Sequence, residues 1–113
     1  MPKSVINITA KCPIRTTAEM LSGKWKLLIL YQLSDCPLRL SALKKIIPDI
    51  SEKMLIQELK TLCDSHLVFR KNFGEVPPRV EYQLTAIGYK VMPIIIDMRN
   101  FAMAYEKALK KIK

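Results

Sequence analysis

The sequence is poor in the residues that build metal sites and disulfide frameworks. Its 113 residues include three cysteines, one histidine and three glycines. Cys12, Cys36 and Cys63 are odd in number and widely spaced, so they form neither a CxxC pair nor a disulfide framework. A single histidine leaves no Cys/His cluster, and we therefore expect no metal site.

The sequence also lacks the signatures of an enzyme and of a membrane protein. It has no Gly-rich phosphate loop, no histidine and acid pair and no nucleophile motif, so we expect no catalytic residue and no cofactor. The longest apolar run, 91–96, contains Pro93, whereas a membrane helix needs about 18 apolar residues. The first ten residues lack the apolar core of a signal peptide. We therefore expect a cytoplasmic protein with no membrane partner.

Acidic residues are scarce relative to basic ones. Ten Asp and Glu residues stand against 19 Lys and Arg residues, which gives a net charge of +9 on what we expect to be one small domain. Such a field favours a polyanionic partner, with nucleic acid first and an anionic membrane surface second. The alternative is a basic protein whose charge serves only solubility.

Helical patterns fill the first part of the chain after a loose arm over residues 1–11. A short helix is expected to start near Pro13, because proline suits the first turn of a helix. Residues 24–33, KWKLLILYQL, are apolar nearly all round, which predicts a buried central helix. A short third helix should run from about Ser41 and end before Pro48.

A fourth helix, over about 51–66, has two distinct faces. Ser51 suits its N-cap. At about 3.6 residues per turn, one side gathers the apolar residues Met54, Leu55, Leu59, Leu62 and Cys63. The other side gathers Lys53, Gln57, Lys60 and Thr61. One interpretation of the polar side is a solvated surface, and the other is a binding face.

A β-hairpin is predicted over about 67–84. The segments LVFRKNF and RVEYQL are rich in β-branched and aromatic residues and are joined by GEVPP. Gly74 permits the turn, while Pro77 and Pro78 stiffen it. A two-stranded hairpin must pack on helices to be stable. Arg79 stands where the stiff turn meets the return strand.

The C-terminal segment, 85–113, predicts one long helix with Thr85 as its N-cap and a kink at Pro93. At about 1.5 Å per residue it would reach roughly 40 Å, more than a domain of this size can cover. We expect its apolar stripe to form a homodimer interface. The alternative is that the stripe folds back on its own core. The predicted dimerisation residues are Ile87, Val91, Ile95, Met98, Phe101, Ala102, Tyr105 and Leu109.

These elements, in this order, are typical of a mainly α winged helix-turn-helix with a small β-hairpin wing and a long C-terminal helix, here over 12–113. The sequence also resembles the HxlR family of bacterial and archaeal transcription regulators, relatives of MarR proteins. The matching segments are CPI from Cys12, GKWKLLIL from Gly23, RLSALKKIIPDISEKMLIQELKTL from Arg39 and VPPRVEYQLTAIGYKVMPI from Val76. The family usually has glycine at the end of the recognition helix, where this sequence has His66. A histidine can occupy the left-handed region at some cost, so the departure concerns the local geometry of this helix end.

The resemblance implies a dimeric, sequence-specific DNA-binding regulator with a double-stranded operator as its partner. Helix 51–66 would enter the major groove, and hairpin 67–84 would meet the flanking backbone or minor groove. The implied DNA contacts are Arg39, Ser41, Ser51, Lys53, Gln57, Lys60 and Arg79, with Lys44 and Lys45 as weaker candidates. For Arg79 the alternative is an intramolecular pair with Glu75 or Glu81. For the whole protein the alternative is a winged-helix module that binds protein or RNA without operator specificity.

Cys12 is the ambiguous residue. It precedes Pro13 at a helix start and is flanked by Lys11 and Arg15, and positive charge and a helix N-terminus both favour the thiolate. Some members of the family that this chain resembles sense oxidants or electrophiles through such a cysteine, so redox sensing is one hypothesis. The other is a small buried hydrophobe. The sequence does not identify a small-molecule or oxidant inducer.

Overall fold

The computed structural model describes residues 12–112, so the predicted arm over 1–11 lies outside the described residues. Over these residues the structure confirms the predicted winged helix-turn-helix fold. The helices are α1 (Pro13–Met20), α2 (Lys26–Leu33), α3 (Leu40–Ile46), α4 (Glu52–Asp64), α5 (Ala86–Tyr89) and α6 (Met92–Ile112). Strands β1 (Val68–Asn72) and β2 (Val80–Leu84) pair antiparallel between α4 and α5, with Val68 opposite Leu84 and Asn72 opposite Val80.

The hydrophobic core lies between α2, α3, α4 and the base of the hairpin. Its fully buried side chains are Ile29, Leu30, Leu33, Leu43, Ile50, Leu55, Leu59, Leu62 and Val68. An ion pair ties α2 to α4 at the edge of this core: Lys26 Nζ lies 2.9 Å from a Glu58 carboxylate oxygen, and the two side chains are only 13% and 16% exposed. The helix-turn-helix is therefore fixed by both apolar packing and a charge pair.

Helix α2 is buried on one side rather than all round. It begins at Lys26, and Trp25 precedes it as a half-buried residue packed against the core. Leu28 and Tyr31 are 46% and 41% exposed. Ile29, Leu30 and Leu33 of this helix are fully buried, so the predicted central helix contributes to the core but keeps one exposed side in the single chain.

The hairpin is joined to the helix-turn-helix by a short third strand segment. Leu38 forms a bridge with Tyr82: the Leu38 N–H donates to the Tyr82 carbonyl at 3.0 Å, and the Tyr82 N–H donates back at 2.8 Å. Because Leu38 lies two residues before α3, this pair of bonds fixes the hairpin relative to the start of the helix-turn-helix.

His66 follows the end of α4 in the left-handed region, with φ of 62°. The His66 N–H donates to the Cys63 carbonyl at 3.0 Å, and the Leu67 N–H donates to the Leu62 carbonyl at 3.1 Å. These two bonds form a Schellman motif, which satisfies carbonyls at the helix end and turns the chain into β1.

Thr85 joins this turn to α5. Its hydroxyl accepts from the Gly88 N–H at 3.0 Å and thereby caps α5. The same hydroxyl donates to the His66 carbonyl at 2.6 Å, which links the start of α5 to the turn after α4. A Cβ at Gly88 would overlap the Leu67 carbonyl oxygen. Glycine is therefore required where α5 crosses the start of β1.

The predicted continuous helix from Thr85 is wrong, because residues 90–91 separate α5 from α6. Pro93 explains the position of the break: its ring conflicts with the carbonyl of Tyr89, four residues earlier, so the helix restarts with proline in its first turn. Val91 falls in the break and is buried against the core of its own chain. The structure therefore removes Val91 from the predicted dimerisation stripe.

Candidate nucleic-acid interface

Helix α4 presents an exposed polar line on the side opposite its buried leucines. Lys53, Gln57 and Lys60 are all exposed and lie at i, i+4 and i+7, while Leu55 and Leu59 anchor the helix in the core. Within residues 12–112 the Gln57 side-chain amide has no hydrogen-bond partner. The side chain therefore keeps both a donor and an acceptor for a base edge.

Lys60 has a weak intramolecular partner. Its Nζ lies 3.7 Å from an Asp64 carboxylate oxygen, one turn later, and the two side chains are 78% and 69% exposed. An exposed pair of this kind contributes little and exchanges easily for another anion. Lys60 can therefore exchange its contact with Asp64 for one with a phosphate or a guanine at a small cost in free energy.

Ser51 begins α4 as its N-cap, as the sequence predicted. Its hydroxyl accepts from the Met54 N–H at 3.1 Å, which satisfies one of the open donors at the start of the helix. The positive end of the helix dipole and the remaining N–H groups stay at the surface, because Ser51, Glu52 and Lys53 are exposed.

Arg39 and Ser41, at the start of α3, lie beside the loop end of the hairpin. They line an open cleft of about 590 Å³ together with Lys44, Lys45, Glu52, Pro78 and Val80. The structure thus brings two separated parts of the predicted site, the α3 entry and the return strand of the hairpin, to one basic cleft. One of its lysines is partly engaged, since Lys44 Nζ donates to the Pro48 carbonyl at 3.1 Å.

Arg79 makes the intramolecular pair that was its alternative. Its Nη2 lies 3.3 Å from a Glu75 carboxylate oxygen, and the guanidinium carbon lies 3.7 Å from the centre of the Phe73 ring. The Arg79 Nε is buried without a hydrogen-bond partner in the described chain. The guanidinium is therefore held in place before any ligand arrives.

The exposed apolar stripe of α6 remains uncovered in the single chain. Met98, Phe101 and Tyr105 are 50%, 69% and 54% exposed, and the rings of Phe101 and Tyr105 stack with centroids 5.9 Å apart. Ile87 and Leu109 are exposed too, as is Ala102, whereas Ile95 is partly buried against the core. An apolar groove of about 640 Å³ between α1, α2 and α6 continues this surface, and its lining includes Ile14, Leu27, Ile94 and Met98.

The cysteines differ in their surroundings. Cys12 is buried, with 4% exposure, at the N-cap of α1, and its side chain makes no capping hydrogen bond. Burial raises the pKa of the Cys63 thiol, and the neighbouring Asp64 raises it further, against a smaller opposing effect of Arg70. Cys63 is therefore a thiol at neutral pH, and Cys36 is exposed.

Two residues of this surface were missed by the sequence analysis. Arg70, on β1, lines a groove of about 350 Å³ between α4 and the hairpin, beside Lys60 and His66. Phe73 stacks beneath Arg79 and also lies 4.7 Å from Lys71 Nζ. Pairing of residues across the hairpin would have placed Phe73 opposite Arg79, whereas nothing in the local sequence places Arg70 beside α4.

An exposed polar helix held in a helix-turn-helix, with a basic cleft and a hairpin beside it, defines the class of helix-turn-helix DNA-binding proteins. Among residues 12–112, every helix is too short or too polar to span a lipid bilayer. The chain belongs to the HxlR family: the family model described as HxlR-like helix-turn-helix matches residues 20–110.

Relatives and solved structures agree with this assignment. YkvN of Bacillus subtilis, an HTH-type transcriptional regulator, is 48% identical over 94 residues, which cover 83% of this chain and 80% of YkvN. The redox regulator HypR in its reduced form has a TM-score of 0.82 and 31% identity over 88% of this chain and 98% of HypR. A MarR-family regulator from Porphyromonas gingivalis has a TM-score of 0.80 and 46% identity over 89% of this chain and 97% of its own. The chain is therefore a transcriptional regulator of the helix-turn-helix type.

Proposed function

We propose that the chain is a dimeric regulator that binds a specific double-stranded operator, with α4 in the major groove and the hairpin on the flanking backbone or minor groove. The observation that carries this proposal is the exposed line of Lys53, Gln57 and Lys60 on a helix fixed by its buried leucines. Gln57 lies in the middle of the line and would pair with an adenine, while the lysines contact guanine or phosphate.

Backbone contacts come from the residues around α4. Arg39 and Ser41 share a cleft with the loop end of the hairpin, and Ser51 stands at the N-terminus of α4. With Arg79 they form a set of donors for phosphate oxygens on either side of the groove. The net charge of +9 supports binding with a strong dependence on salt. A chromosomal target places the protein in the cytoplasm.

Dimerisation rests on α6 and the groove beside it. The exposed stripe of Met98, Phe101 and Tyr105 is continuous with the apolar groove that α1 and α2 line, and a second copy is the simplest partner for such a surface. A two-fold dimer would present two α4 helices to half-sites about 34–36 Å apart, one turn of the duplex.

We also propose that Cys12 gives the regulator an oxidant response that requires α1 to open. HypR, to which the chain is similar, is a redox regulator. Cys12 is buried, but none of the residues of α1 is buried. In the single chain α1 therefore opens more readily than the core, although opening it disturbs the groove proposed for dimerisation. Alkylation of Cys12 should accelerate in low denaturant before the core unfolds. Oxidant treatment should change the DNA affinity of the wild-type protein and leave the DNA affinity of Cys12→Ser unchanged.

The test measures binding to the DNA upstream of the encoding gene. Fluorescence anisotropy gives the affinity at each of several salt concentrations. We expect tight binding to this duplex, weaker binding to a shuffled duplex, and a log–log salt slope of about −0.9 per phosphate contacted. Equal affinity for both duplexes would contradict operator specificity. Preference for RNA, or no binding to either nucleic acid, would favour the interaction module instead.

A further inference from the structure

The hairpin tip holds Arg79 in a defined position. The Phe73 N–H donates to the Arg79 carbonyl at 3.0 Å and closes the loop of residues 74–78. This bond makes Phe73 and Arg79 a cross-strand pair, and the guanidinium lies 3.7 Å above the ring. A cation over an aromatic face is stabilised by the ring quadrupole. The arrangement therefore orders an arginine side chain that would otherwise lose entropy on meeting a ligand.

Only part of the guanidinium is available to a new partner. Its Nε is buried and has no hydrogen-bond partner in the described chain, so an incoming anion must bind the terminal Nη groups. Glu75 already occupies that end, through Nη2 at 3.3 Å. The contact is a single one rather than the bidentate pair that arginine and a carboxylate form at their strongest. A phosphate and Glu75 therefore compete for the same end of the guanidinium.

We propose that Glu75 is an intramolecular competitor that lowers the sequence-independent affinity of the hairpin for DNA, and that Phe73 is the positioning residue for Arg79. This inference rests on the proposed DNA-binding function. While Glu75 holds Arg79, the pair presents little net charge to the duplex. A phosphate must displace the carboxylate, which then stays near the DNA as a repelling charge. Any duplex pays this cost, so the pair lowers the affinity of the hairpin for DNA whatever the sequence.

The exposure of the pair sets the size of the effect. The Arg79 and Glu75 side chains are 34% and 53% exposed, so the pair is screened by solvent and is of the weak class. Removing the competitor should raise affinity for random-sequence duplex by about two- to fivefold for each protomer bound. It should also add about one phosphate contact for each protomer, and each added contact steepens the log–log salt slope by about 0.9.

The experiment measures the affinity of the full chain for a random-sequence duplex, long enough for two half-sites, at several salt concentrations. The variants are Glu75→Gln, Arg79→Gln and the double variant, with Glu81→Gln as a second loss of a carboxylate from the hairpin. Glu75→Gln should bind more tightly and with a steeper slope. In the Arg79→Gln background, Glu75→Gln should raise affinity by no more than Glu81→Gln does. It should also leave the salt slope unchanged there.

Phe73→Leu keeps an apolar side chain and removes the aromatic face. It should weaken binding only when Arg79 is present, and circular dichroism checks that the variant is folded. Equal gains from Glu75→Gln in both backgrounds would overturn the competition, because they would reflect charge alone. A loss of affinity in Glu75→Gln would overturn it as well. If the wild-type chain binds duplex DNA with a normal salt slope, either result leaves the proposed function intact. If it binds no duplex, both proposals fall.

Discussion

Phe101→Ala should dissociate the dimer that we propose. Phe101 is 69% exposed in the single chain, and a covered phenylalanine buries about 150–250 Å². A partner that covers this ring would then remove roughly 100–170 Å² from water, worth about 2.5–4 kcal/mol at 25 cal/mol per Å². The dimer contains two such rings, but alanine keeps part of the contact and association has its own cost. We therefore expect the dimer dissociation constant to rise at least about 100-fold, or roughly 2.7 kcal/mol.

Sedimentation equilibrium over a range of protein concentrations measures this change directly. Met103→Ala is the matched control, because Met103 is 63% exposed and lies on the opposite side of α6, two residues further along the helix. Far-UV circular dichroism checks that both variants keep their helices. The dimerisation argument would be refuted by a wild-type monomer, or by a Met103 variant that weakens the dimer while the Phe101 variant does not.

Three further predictions concern stability and are measured by urea unfolding with thermal melts. Gly88→Ala should destabilise the fold by about 2–3 kcal/mol, because the new Cβ meets the Leu67 carbonyl; an unchanged midpoint would show that α5 can move away. His66→Gly should stabilise by about 1 kcal/mol, because relief of the left-handed strain exceeds the entropy added to the unfolded chain; a lower midpoint would mean that the histidine side chain makes a stabilising contact. Glu58→Gln should destabilise by about 2–3 kcal/mol, because it leaves Lys26 largely buried without a counter-charge. An unchanged free energy of unfolding would show that water solvates Lys26 once the Glu58 carboxylate is gone.

The sequence predicted the helix-turn-helix well because its signals are local. The spacing of Leu55, Leu59 and Leu62 fixes one buried face of α4, and Ser51 is a strong N-cap at the expected position. The family's glycine at the position of His66 indicated that a left-handed residue could end this helix, and His66 has that conformation. The exposed face of α4 follows from the same periodicity.

The C-terminal half was harder because long-range contacts decide it. Pro93 indicated a distortion, but the full break at residues 90–91 turns Val91 into the core rather than into the exposed stripe. That orientation depends on the crossing of Gly88 over the Leu67 carbonyl, between residues far apart in the sequence. Helical periodicity alone cannot show such a crossing.

The partners of Arg79 and the burial of Cys12 also depend on packing. The sequence offered Glu75 and Glu81 as partners for Arg79, and the structure shows the pair with Glu75. This choice depends on how the loop closes between Phe73 and Arg79. Cys12 had the charged neighbours of a reactive thiol, yet its side chain is covered. Charge patterns along a sequence do not report the solvent access of a side chain.

The most direct measurement of the central claim is the selection of binding sites from a random duplex pool by the wild-type protein and by Gln57→Ala. The account predicts that the wild-type chain enriches a partly palindromic site with half-sites about one helical turn apart. Gln57→Ala should lose base preference at one position in each half-site, by about 1–3 kcal/mol, and keep the rest of the site. If no sequence is enriched, or if Gln57→Ala enriches the same site with the same preference, α4 does not read DNA through Gln57.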